Sequence, residues 1–134
     1  MDPTESDRNC RVTKGQSNQS AYFMRSAKRI AREAKESFDK GEYDRVVRKT
    51  QESVELYLKS HLLLEGVEAV KTHDLVLLTA NLKKKIKVDR ETLDFLTEER
   101  IPAFYGAADF VPDETYEEDD GKRCLKALQA LGLF

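Results

Sequence analysis

The sequence predicts an all-α fold, an up-and-down bundle of four to five helices behind a disordered N-terminal tail. Three observations lead there. Apolar residues recur at three- and four-residue spacing along most of the chain. Three prolines and six glycines in 134 residues leave long uninterrupted stretches. A charged content of 36% against 40% hydrophobic suits amphipathic helices with highly charged outer faces. The length fits one domain that buries a continuous core without metal or disulfide.

Residues 1–19, "MDPTESDRNCRVTKGQSNQ", are polar and nearly without apolar anchors, so a mobile tail is expected, with the bundle domain over 20–134. Ser20 is read as the N-cap of the first helix. Phe23, Ala27, Ile30, Ala34 and Phe38 supply its inner stripe, and Gly41 ends it. At about 100° per residue, Arg25, Lys28, Arg29, Arg32 and Lys35 gather on the opposite side. This face is read as solvated; phosphate binding would need accompanying aromatic or Gly-rich elements, which the local sequence lacks.

The second helix is expected from Glu42 to Glu65, with Gly66 as C′ residue. Its apolar arc holds Tyr43, Val46, Val47, Thr50, Val54, Tyr57, Leu58, His61 and Leu64, wide enough for a central helix. Leu56 and Leu63, seven apart on the charged side, are expected to form a dimer or partner interface. Glu55 and Lys59 have the favourable i,i+4 order and are read as a surface ion pair.

Thr72 is read as the N-cap of a third helix, "HDLVLLTANLKKK", with Asp74 in its first turn and Leu75, Leu78 and Leu82 inside. Asp89 caps a fourth helix carrying Leu93, Leu96 and Ile101, which Pro102 kinks or breaks. Thr115 and Glu118 have capping-box spacing before a last helix with Leu125, Leu128 and Leu131 inside. The run Glu117 to Asp120 suits a helix first turn better than a metal site, because consecutive helical residues point in different directions.

Charge is distributed unevenly. From Leu93 to Asp120 ten acidic residues face one basic residue, net −9, whereas Ala21 to Lys40 is net +3. A two-sided molecule follows. Cys10 and Cys124 form no disulfide framework or zinc motif. There is no apolar run near the ~18 residues of a membrane span, and the expected location is cytoplasmic. No Gly-rich phosphate loop is present, which excludes ordinary nucleotide triphosphatases. No metal or cofactor is expected.

The two histidines divide. His61 lies in the apolar arc and reads as a core residue. His73, beside Lys71 and Asp74 at a helix start, is the better candidate for the surface; it reads as a loop anchor, the alternative being a free helix N-terminus that attracts a phosphate.

The stretch "AKESFDKGEYDRVVRKTQESVELYLKSHLLLEGVEAVKTHDLVLL" resembles the HEPN domain family, in particular its small stand-alone prokaryotic members. The likeness falls on Gly41 and Tyr43, on Gln51, Glu55 and Lys59, on Gly66, and on Thr72, His73 and Leu75. It extends through "IPAFYGAADF" to the final helix. The resemblance implies a homodimeric helical bundle that works beside a minimal nucleotidyltransferase protein in toxin-antitoxin-like pairs, or binds nucleotides or RNA. Many relatives are metal-independent ribonucleases with an Arg followed four to six residues later by His. Neither His61 nor His73 has an arginine four to seven residues before it, and where relatives carry arginine after Ile-Pro-Ala this chain has Phe104. No catalytic residue is assigned on that basis. The expected function is a non-catalytic module binding a nucleotidyltransferase partner and a nucleotide, with Lys59, Lys71, His73, Arg100 and Tyr105 as phosphate or nucleotide contacts. The alternative is a divergent ribonuclease without the Arg-His motif, using His73 or His61.

Overall fold

The computed structural model describes residues 12–68, 71–105 and 116–134, with side chains except over residues 100–105. The described residues form five helices and no strand: α1 Lys14–Asp39, α2 Tyr43–Leu64, α3 Leu75–Ala80, α4 Arg90–Tyr105 and α5 Glu118–Ala130. The predicted all-α bundle is observed. Helix α2 is central and touches all four others, most extensively α1.

Helix α1 begins earlier than the sequence suggests. Thr13 is its N-cap, accepting from the Gln16 N–H at 3.0 Å while Gln16 Oε1 accepts from the Thr13 N–H at 2.9 Å. This reciprocal pair satisfies two otherwise orphaned donors, so the helix extends through residues expected in the tail. Residues 1–11 lie outside the described part. Ser20 is no cap but an interior contact with 2% exposure. Its hydroxyl donates to the Ser60 carbonyl at 2.9 Å, and the Ser60 hydroxyl donates to the Ser20 carbonyl at 2.8 Å. The Ser53 hydroxyl donates to the Ala27 carbonyl at 2.6 Å.

Those short side chains explain why the buried centre of α1 is Ala27, Ala31 and Ala34, each fully buried. Small residues let two backbones approach until hydroxyls reach the neighbouring helix's carbonyls. Of the expected stripe, Ala27 and Ala34 stand in this buried centre, while Phe23, Ile30 and Phe38 are only half-buried.

Both α1 and α2 end in left-handed glycines, Gly41 at φ 72° and Gly66 at φ 78°. The Val67 N–H returns to the Leu62 carbonyl and the Gly66 N–H to the Leu63 carbonyl, which satisfies carbonyls the helix leaves open. The Glu65 carboxylate then accepts from the backbone N–H groups of Lys83 and Lys84, at 2.9 and 3.2 Å. This fixes the turn after α3 against the end of α2.

The third helix is shorter than predicted and its cap differs. Asp74, not Thr72, is the N-cap and accepts from Val76 and Leu77 N–H. The helix stops at Ala80, with Asn81 bonding back to the Leu77 carbonyl. Asp89 starts α4 as expected, accepting from the Thr92 N–H at 2.7 Å, and α4 runs on through Pro102 to Tyr105. For α5 the expected Thr115–Glu118 box is replaced by Glu117 and Asp120, whose carboxylate accepts from the Glu117 N–H at 2.8 Å; Thr115 lies outside the described residues. Gly121 gives α5 its close seat, since a Cβ there would lie 2.8 Å from the Phe38 ring and 3.0 Å from Tyr43.

Candidate functional site

Gln51, Glu55 and Lys59 stand on successive turns of α2 and drift about 40° per step around it. They line the edge of its apolar arc, half in the core. Gln51 is 1% exposed, and the Glu55 and Lys59 side chains keep only 13% and 15% of their exposure. A carboxylate so placed must be well satisfied or it would destabilise the fold.

It is. Glu55 Oε2 accepts from Lys59 Nζ at 3.0 Å. Glu55 Oε1 accepts from Gln51 Nε2 at 3.1 Å and contacts His73 Nδ1 at 2.7 Å. Burial alone would push the Glu55 carboxyl up, but the hydrogen bonds from His73, Lys59 and Gln51, with the Lys59 charge, outweigh it and hold the group below its ordinary value. Because an ionised carboxylate only accepts, Nδ1 carries the proton and Nε2 is the ring's other polar atom. The ring side chain is 55% exposed.

The loop before α3 aims the histidine. Gln51 Nε2 reaches the His73 carbonyl at 3.5 Å, and Thr72 Oγ1 accepts from the Asp74 N–H at 3.1 Å. The Leu75 N–H donates to Thr97 Oγ1 on α4 at 3.1 Å. The imidazole is therefore fixed from α2, from its own loop and from α4.

Several expectations change here. The Glu55–Lys59 pair is no surface pair; it is the mostly buried centre of a four-residue cluster. The start of α3 offers no free helix terminus to a phosphate, because the Asp74 carboxylate already takes its first N–H groups. Leu63 is 2% exposed and buried in its own chain, so it presents no interface seam; Leu56 is half-buried and packs on the core. Lys71 is exposed. The side chains of Arg100 and Tyr105 lie outside the described residues.

His61 stands apart from His73. Its ring packs on Tyr57 with centroids 4.5 Å apart, and Lys84 lies 5.8 Å from the Tyr57 ring centroid. Burial and the Lys84 charge push the His61 imidazole down, against the opposing effect of Glu65. It belongs to the scaffold. Sequence reasoning missed Asp74 and Thr97 as the residues that hold the His73 loop. The Asp two positions before Val-Leu is a readable cap signal, while Thr97 has none because its contact spans 22 positions.

Among the described residues, no group of three or more His, Cys, Asp or Glu side chains could hold a metal ion. No described helix is long and apolar enough to cross a membrane.

The crystal structure of TT1696 from Thermus thermophilus is similar at a TM-score of 0.73 and 22% identity, covering 87% of this chain and 95% of that one. At that identity the likeness shows the fold. No curated protein matches the chain. The HEPN domain profile matches residues 20–131, nearly all of the described bundle, and on that match the chain belongs to the HEPN domain family.

Proposed function

We propose that this HEPN protein is a non-catalytic, dimeric binding module that engages a minimal nucleotidyltransferase partner and a nucleotide, in a toxin-antitoxin-like or nucleotide-linked system. The observation that carries the nucleotide part is the Glu55–His73 contact at 2.7 Å. It spends the carboxylate on holding the ring and leaves an exposed imidazole edge two residues from the exposed Lys71. With Nε2 protonated as well, such an edge donates to a phosphate oxygen. Phosphoryl chemistry would also need a charge-matched clamp, and neither histidine follows an arginine at the family's ribonuclease spacing.

The same contact gives the ribonuclease reading its support, since a carboxylate that fixes Nδ1 prepares Nε2 for proton transfer. One experiment separates the two. The protein and its His73→Ala and His61→Ala variants are incubated with mixed-sequence RNA in excess chelator, and amide spectra are followed on adding ATP. Shifts at His73 and Lys71 without RNA cleavage support the binding module. Cleavage abolished by His73→Ala makes the chain a ribonuclease. Neither shift nor cleavage up to millimolar ATP removes the nucleotide from the proposal.

A further inference from the structure

Away from the His73 cluster, α1 and α5 enclose a groove of about 530 Å³. Its apolar floor and wall are Phe38, Leu125 and Phe134, and Lys35, Lys122 and Lys126 stand around them. Phe134 is 42% exposed, and Lys35 Nζ lies 5.7 Å from its ring centroid, within cation–π range. The floor is held from below, because Phe38 packs against Tyr43 at 5.7 Å between centroids and lies over Gly121. Three cations around an apolar trough between two helices form a surface whose occupant has to be both apolar and anionic.

We propose that this groove is a docking site for an acidic amphipathic peptide segment of a protein partner, whose apolar side chains enter between Phe38, Leu125 and Phe134 while its carboxylates meet the three lysines. Charge complementarity commits the occupant. The lining cations are all lysines, point charges without the planar fork that favours phosphate. The arginines of α1, Arg25, Arg29 and Arg32, lie about 60° to 120° further round the helix from Lys35, and the exposed Glu36 and Asp39 follow beyond them at the end of α1. The arginine row therefore runs round another side of α1, and the groove's own lysines surround apolar side chains, which a peptide's side chains can cover and a bare phosphate cannot. Gln129, also in the lining, offers an amide to a peptide backbone. Lys122 makes an exposed pair with Glu118 at 3.5 Å, which an incoming carboxylate displaces at little cost. This inference stands independently of the nucleotide reading.

The test uses the full chain and three fluorescent probes: a short synthetic Glu/Leu peptide with leucines at helical three- and four-residue spacing, a scrambled peptide of equal composition, and a single-stranded RNA of equal charge. Binding is followed by anisotropy, and the site by amide shifts. The patterned peptide is expected to shift Lys35, Leu125 and Phe134 and to lose about tenfold in affinity in Lys35→Glu/Lys126→Glu. Phe134→Ala should weaken it independently, through the apolar wall. Equal binding of the scrambled peptide, tighter binding of the RNA, or no shift at millimolar peptide would each overturn the proposal.

Discussion

Glu55 and His73, eighteen positions apart, meet at 2.7 Å, and their contact fixes the loop before α3 to the middle of α2. Removing the carboxylate leaves Lys59, with 15% exposure, facing a partly buried void. Glu55→Ala is expected to cost about 2–3 kcal/mol of stability in urea unfolding, and His73→Ala, at the exposed end, about 1 kcal/mol or less. If Glu55→Ala unfolds within about 0.5 kcal/mol of the parent, the cluster does not couple loop to helix. Since the folded carboxyl lies below its ordinary 4.5, its contribution is present above that pH and lost as pH falls through the folded value. Glu55→Gln should flatten that acid limb.

His61 gives a second pH effect at a higher window. Its folded imidazole lies below the ordinary 6.5, so between the two values the unfolded chain binds the proton first and stability falls with acidification. Thermal melts from about pH 7.5 downward should show this loss beginning near the ordinary 6.5 in the parent and reduced in His61→Gln. Identical slopes would mean that the ring is not penalised by its surroundings.

Ala31 sits fully buried where α1 meets the rest of the bundle. Ala31→Leu inserts three carbons where backbones are close and should destabilise by about 2–3 kcal/mol. Phe23→Ala, on a half-buried flank, should cost less, about 1–2 kcal/mol. The reverse order in denaturant titrations would restore the aromatic stripe as the centre of the interface.

At Gly121 helix propensity and packing oppose one another. A Cβ favours the helix by about 0.5–1 kcal/mol, but here it would stand 2.8 Å from the Phe38 ring, and overpacking costs about 1–3 kcal/mol. Gly121→Ala should therefore lower the melting temperature, while Gly121→Ala with Phe38→Leu should recover part of the loss. A melting temperature raised by the single change would show that the ring yields freely.

Cys124 is fully buried, and burial pushes its thiol up to about 12. A group held neutral and enclosed does not attack. In a Cys10→Ser background, a thiol reagent at about pH 8 should label the native protein only at the rate of unfolding and the denatured protein at once. Rapid native labelling would refute the enclosed position.

The four residues Gln51, Glu55, Lys59 and His73 were each visible in the sequence because their spacing matches the family pattern, but their convergence was not. A helix wheel places Glu55 and Lys59 among charged neighbours and so suggests solvent. Burial came from the loop that folds over them, through contacts spanning 18 and 22 positions. The cap errors at Ser20, Thr72 and Thr115 have a related cause: several Ser, Thr and Asp residues near each helix start can serve, and the choice depends on where the chain must turn.

By itself the sequence determined the helical class, the two glycine stops, the Asp89 cap, the central role of α2 and the family, because these rest on local periodicity, backbone conformation and short motifs. Only the tertiary structure decided that Ala31 and Ser20 are buried with the expected Ala27 and Ala34 while Phe23 and Ile30 stay half-exposed, that Leu63 is buried in its own chain, and that Phe134 stands beside Lys35. The physical reason is that the depth to which two helices sink together depends on both surfaces at once. That depth sets which side chains are enclosed and which charges lose their water.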